Sequence, residues 1–144
     1  MKSFDVQGIE LRVPFEKAFT FIGDPNQLPG WTSAFARVAN GRAVMRTPKG
    51  EVEIDLAVRA SADQGTVDWE MTFPDGSAAT AFSRLVGIKP DVCVYSFILT
   101  PPPVPLEELE GALEAQSNIL TEELRNLKGI LERDEWRQRR SRRA

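Results

Sequence analysis

Tyr95 is the only tyrosine in the chain and sits in a run of apolar residues, 92–99, that would keep its hydroxyl dry. A phenol in a dry pocket can donate to a carbonyl or to a developing oxyanion. Arg84 alternates with Phe82 and Val86, a parity that predicts an inward-facing guanidinium. A buried arginine needs a carboxylate, or it takes an anionic ligand group. Thr80 shares that parity, Ser96 alternates with Val94 and Ile98, and Gln116 and Ser117 interrupt a helical leucine stripe. Together they predict a polar set able to orient a carboxyl, hydroxyl or carbonyl group. Each has an ordinary structural alternative: Tyr95 in a core with one partner, Arg84 in solvent, Gln116 on a helix flank.

Other chemistries are excluded or weak. The chain has no histidine, which removes Ser-His-Asp triads, Cys-His dyads and histidine-ligated metals. Cys93 is the only cysteine, so no internal disulfide or cysteine-rich metal site is possible. Nothing near it in sequence would lower its pKa, and it reads as a small buried hydrophobe. Glu51, Glu53 and Asp55 alternate along one strand face, about 7 Å apart. Carboxylates at that spacing can share a proton or hold a cation, but the pattern reads first as a solvated outer face.

Apolar residues supply the other half of a site. Trp31, Trp69, Met71, Phe82, Tyr95 and Phe97 are large enough to line a curved cavity, and ligand pockets are mostly apolar with a few placed polar groups. The same residues would otherwise fill a solid core.

These residues depend on the elements that carry them. Residues 4–13 alternate like a strand, but Phe4 and Val6 are out of phase with Ile9, Leu11 and Val13, which predicts a bulge at Gly8. Pro14 opens a short helix with Phe15, Ala18, Phe19 and Ile22 on one face. A second short helical turn is expected around 31–35. From residue 36 to 100 the period changes to two. Asn40-Gly41, Lys49-Gly50, Pro74-Asp75-Gly76-Ser77 and Lys89-Pro90-Asp91 punctuate it like the turns of an antiparallel meander. Residues 92–99 are apolar on both parities, as expected for a central or doubly covered strand. Pro101–Pro105 reads as a stiff connector. Leu106, Leu109, Leu113, Leu120, Leu124, Leu127 and Leu131 then mark a helix expected to run to Trp136.

The stretch 12–25, RVPFEKAFTFIGDP, running into Leu28-Pro29-Gly30-Trp31, resembles the helix-grip superfamily of START, Bet v 1 and polyketide cyclase/dehydrase-like (SRPBCC) domains. The resemblance covers nearly the whole chain. It implies an α+β fold in which a curved antiparallel sheet of about seven strands wraps around a long C-terminal helix, with two short helices after the first strand. It also implies a cavity between sheet and helix for a lipid, quinone or polyketide-like molecule. Several enzymes of the superfamily use histidine, so its absence here favours binding over catalysis.

The expectation is one domain over 1–136 that binds a small hydrophobic or amphipathic ligand through Trp31, Trp69, Met71, Phe82, Arg84, Tyr95 and Gln116. No cofactor and no metal are expected. The alternatives are a metal-independent cyclase or dehydratase using Tyr95 and Arg84, and an interaction protein acting through the long helix or the arginines. Residues 137–144 hold five arginines, and without them residues 1–136 carry 13 basic and 21 acidic side chains, a net of −8. A disordered basic tail is expected there, and nucleic acid is an unlikely partner because the acidic body repels phosphate. No secretory leader or membrane span is expected, so the predicted location is cytoplasmic. A homodimer through a strand edge or the long helix is compatible with this reading.

Overall fold

In chain order the elements are β1 (Asp5–Leu11), α1 (Phe15–Ile22), a 3-10 turn (Pro25–Gln27), α2 (Leu28–Trp31), β2 (Phe35–Ala39), β3 (Arg42–Thr47), β4 (Gly50–Ser61), β5 (Thr66–Thr72), β6 (Ala78–Lys89), β7 (Val92–Leu99) and α3 (Leu106–Arg143). This computed structural model describes residues 4–47, 50–100 and 106–143, and in α3 the side chains of 113–133, 136–138 and 140. The connector expected at Pro101–Pro105 and the side chains of the stripe residues Leu106 and Leu109 lie outside what it describes.

The seven strands form one curved antiparallel sheet in the order β1-β7-β6-β5-β4-β3-β2. The meander β2 to β7 follows from its turns. Asn40 and Gly41 both take positive φ, 53° and 77°, the backbone that a tight hairpin with right-handed strand twist requires. Asp75 Oδ1 accepts from Ser77 N at 2.9 Å and from Ser77 Oγ at 2.6 Å, closing the turn between β5 and β6. The two short helices carry the chain from β1, at one edge, to β2 at the other.

The core lies between the concave sheet face and α3. Leu113, Leu120, Leu124, Leu127 and Leu131 of the helix are buried, as their three- and four-residue spacing predicts. Leu120, Leu124, Leu127 and Leu131 share one core with Leu11, Ile54, Leu56, Val67, Leu85 and Cys93 of the sheet and with Ala18, Ile22 and Leu28. The polar break at Ser117 is satisfied by the first strand. Gln7 Nε2 donates to Ser117 O and to Asp5 Oδ2, both at 2.9 Å, Ser117 Oγ donates to Asp5 Oδ2 at 2.5 Å, and Thr121 Oγ1 donates to Gln7 Oε1 at 2.9 Å. This network sets the height of α3 over β1.

Four sequence expectations are corrected. The first strand has no bulge: β1 pairs β7 without a register shift, with Asp5, Gln7, Ile9 and Leu11 inward and Val6 outward. The phase slip is a change in what faces inward, from polar to apolar. In β6 the inward residues are Ser83 and Leu85, so Phe82, Arg84 and Val86 face outward and are exposed. The guanidinium keeps its water, and a small residue at 83 leaves room for the rings of neighbouring strands. The second short helix ends at Trp31 rather than beginning there. Helix α3 continues past Trp136 to Arg143, and Arg140 stacks over the Trp136 ring at 5.0 Å.

Candidate functional site

Four rings from three elements meet on the concave face. Trp31 at the end of α2 lies 6.4 Å from Trp69 of β5 and 6.5 Å from Tyr95 of β7, between ring centroids, and Trp69 stacks on Phe97 at 6.1 Å. Strand parity delivers Trp69, Tyr95 and Phe97, since all three stand at odd positions of strands whose odd residues face inward. Trp31 depends on a loop. Thr32 ends α2 by donating N–H and Oγ1 to Leu28 O at 2.9 and 2.7 Å. The next residues are held from two sides: Glu123 Oε2 accepts from Ser33 N at 2.7 Å and Ala34 N at 3.3 Å, and an Arg46 guanidinium nitrogen donates to Ser33 O at 3.0 Å.

The cluster holds three buried donors without a hydrogen-bond partner among the described residues: Trp31 Nε1, Trp69 Nε1 and Tyr95 Oη. Native proteins satisfy nearly all such groups, and each one left unmade costs about 1–3 kcal/mol. Burial pushes the Tyr95 pKa up, with the neighbouring Ser83 hydroxyl pulling the other way. Ser83 Oγ donates to Val67 O at 2.5 Å, and no sound bond joins it to Tyr95 Oη. Tyr95 therefore keeps its proton at neutral pH and acts as a donor, not as a base. The arrangement can hold a neutral acceptor such as a carbonyl oxygen against an apolar wall.

Of the residues expected to form a site, Trp31, Trp69 and Tyr95 come together. Met71 is partly buried against the same core, and Gln116 is half-buried on α3. Phe82, at 41% exposure, and Arg84 stand on the opposite side of the sheet and do not meet the cluster. Glu51, Glu53 and Asp55 are exposed as expected and pair with Arg37 and Arg42. Cys93 is fully buried, its Sγ 3.5 Å from Val13 O, and burial raises its thiol pKa to about 11. Among the described residues no three potential ligands gather into a metal site, and no helix is long and apolar enough to cross a membrane.

Two features were not anticipated from the sequence. Glu123 is 9% exposed and holds the Trp31 loop. Burial raises its pKa, and the bonds from Ser33 and Ala34 pull it down. Its signal was its place beside Leu124 and three residues after Leu120, on the buried edge of the stripe. Asp5 and Gln7 were signalled by the phase slip in the first strand. A separate open groove of about 440 Å³ lies between α1 and the last turns of α3. Its lining mixes Glu16, Lys17 and Asp24 with Val13, Phe21 and Leu131, and it lies apart from the aromatic cluster.

No family model and no curated relative matches the chain. Solved structures do. A START superfamily protein from Mycobacterium smegmatis aligns with a TM-score of 0.66 and 12% identity, over 92% of this chain and 99% of that one. The Zhui aromatase/cyclase from Streptomyces sp. R1128 aligns with a TM-score of 0.63 and 10% identity, over 90% and 93%. A solution structure from Thermobifida fusca gives 0.65 and 19%, over 92% and 95%. At these identities the likeness establishes the helix-grip fold of START and polyketide cyclase-like domains.

Proposed function

We propose that the protein binds a small apolar molecule bearing carbonyl-type acceptors between the concave sheet face and α3. The observation that carries this reading is the set of three unpartnered buried donors, Trp31 Nε1, Trp69 Nε1 and Tyr95 Oη, in one aromatic cluster. Apolar burial supplies affinity at roughly 25 cal/mol per Å² before ordering costs. The donors supply selectivity, because a site built to hydrogen-bond a ligand rejects the analogue that lacks the acceptor. Quinones and polyketide-like molecules meet this requirement, and saturated hydrocarbon chains do not. In this reading Phe97 belongs to the apolar wall, and Met71 and Gln116 would add contacts to the ligand.

Calorimetric titration with naphthoquinone and with naphthalene, two probes of similar shape, tests the reading. Naphthoquinone is expected to bind at least about tenfold tighter, the equivalent of one hydrogen bond near 1.4 kcal/mol. Tyr95→Phe should narrow the gap. Equal affinities for the two probes would sink the assignment.

A second reading is a metal-independent cyclase or dehydratase, and the likeness to an aromatase/cyclase supports it. Tyr95, held protonated by burial, would donate to the oxyanion formed as a carbonyl is attacked. Turnover of a polyketide-like substrate that falls about a hundredfold or more in Tyr95→Phe would favour this reading over binding alone.

A further inference from the structure

Strand β7 carries apolar residues on both faces, and among the described residues only its inner face is covered. The register builds a lattice on the outer face: Val6, Ile98 and Phe82 stand in one row, Gly8, Ser96 and Arg84 in the next, and Glu10, Val94 and Val86 in a third. Val6, Phe82, Val86 and Ile98 are 41–54% exposed, and Phe4 extends the patch at 53%. The other half of the same face, on β3 to β5, is charged and internally paired through Arg42 with Glu53 and Asp55, and Arg59 with Glu70. An apolar half beside a self-satisfied polar half marks a docking surface rather than ordinary surface scatter.

We infer that this outer face of β1, β7 and β6 pairs with the same face of a second copy, about a two-fold axis running along β7. That axis lays β1 of each copy over β6 of the other, row upon row. Val6 then meets Phe82, and Ile98 meets its own counterpart. Arg84, which makes no ion pair among the described residues, falls over Gly8, where no side chain blocks it. The Glu10 carboxylate of the other copy lies one row away. Among the described residues of its own chain Glu10 has only a loose ion pair, with Arg12 at 3.8 Å, and both side chains are more than half exposed. A two-fold across the strands through the same centre would instead press Arg84 onto its own counterpart, so charge selects the first axis. Face-to-face sheets pack in this aligned manner. Three strands about 4.8 Å apart and seven residues long cover on the order of 400 Å², half of what each partner gives to a standard interface, so the dimer is reversible.

Sedimentation equilibrium from micromolar to about 1 mM protein tests the inference, with a dissociation constant expected in the micromolar range or above. Ile98→Arg is expected to abolish association, with Phe82→Thr as the second variant if the first is unstable, and thermal unfolding as the control for folding. Arg84→Glu and Glu10→Arg should each weaken the dimer at least about tenfold, and the double variant should recover most of the loss. A wild type that stays monomeric throughout overturns the inference. So does association that survives Ile98→Arg, which would place the contact at a strand edge or on α3, and so does a double variant no better than either single one.

Discussion

Tyr95 presents its hydroxyl to a dry cluster in which no described group accepts it. In the free protein that hydroxyl is a liability, and in a complex with an acceptor it is a contact. The two roles predict opposite signs for one substitution. Tyr95→Phe should raise the stability of the ligand-free protein by about 1 kcal/mol while weakening carbonyl ligands. Urea denaturation read beside a binding titration checks both signs, and a loss of stability would show that Oη has an acceptor. Glu123 gives a second prediction, in pH. Burial holds its folded pKa above the ordinary 4.5, so the folded protein binds more protons there than the unfolded chain. The stability contributed by the neutral carboxyl is complete below the unfolded value and is lost as pH rises through the folded one. Glu123→Gln keeps an acceptor for the Ser33 amide and cannot ionise. Wild type should therefore lose stability relative to this variant as pH rises above about 4.5. Parallel pH profiles for the two proteins would refute the assignment.

Among the elements, β6 is decided by what lies under it. Gly65 has φ +72°, and a Cβ there would stand 2.1 Å from Leu85 O. Gly65 O accepts from Leu85 N at 2.7 Å, so the turn before β5 is pressed onto β6. Gly65→Ala combines a disfavoured backbone with a clash against an atom that cannot swing aside, and should cost about 2–4 kcal/mol in thermal or chemical unfolding. A loss below about 1 kcal/mol would mean that this contact does not hold the strand. The same element shows why alternation misled. Phe82, Arg84 and Val86 read as an inward face because apolar residues usually face the core. Here Ser83, Leu85 and Gly87 do so: Ser83 and Leu85 stand beside Phe97 and Tyr95 of β7, and Phe15 lies against Gly87. Helix α3 was legible because its leucine stripe faces a single surface, so local period and burial agree.

For the whole molecule, the sheet separates two surfaces that share strands but not contacts. Tyr95 and Ser96 are neighbours in sequence and point to opposite faces. Substitutions on the two faces should therefore be additive to within about 0.5 kcal/mol. Ile98→Arg is expected to leave naphthoquinone affinity unchanged, and Tyr95→Phe to leave self-association unchanged. A calorimetric titration and a sedimentation run on both variants measure this directly, and coupling in either one would mean that the sheet transmits strain between its faces.

The sequence by itself determined what was local and repeated. The turns at Asn40-Gly41 and Pro74–Ser77, the period-two strands between them and the leucine stripe of α3 specify a meander and a long helix. The missing histidine excludes whole classes of chemistry before any fold is known. Even the inward set of Trp69, Tyr95 and Phe97 follows from strand parity. Only the tertiary structure decided which face of β1 and β6 turns inward, that Glu123 holds the Trp31 loop, and that three aromatic donors share one dry cluster. Those outcomes depend on partners far away in sequence. A strand's phase is set by the free energy of everything packed on both of its faces, and for β1 and β6 the cost of desolvating Arg84 and the fit of Ser83 beneath aromatic rings outweigh the exposure of Val6, Phe82 and Val86.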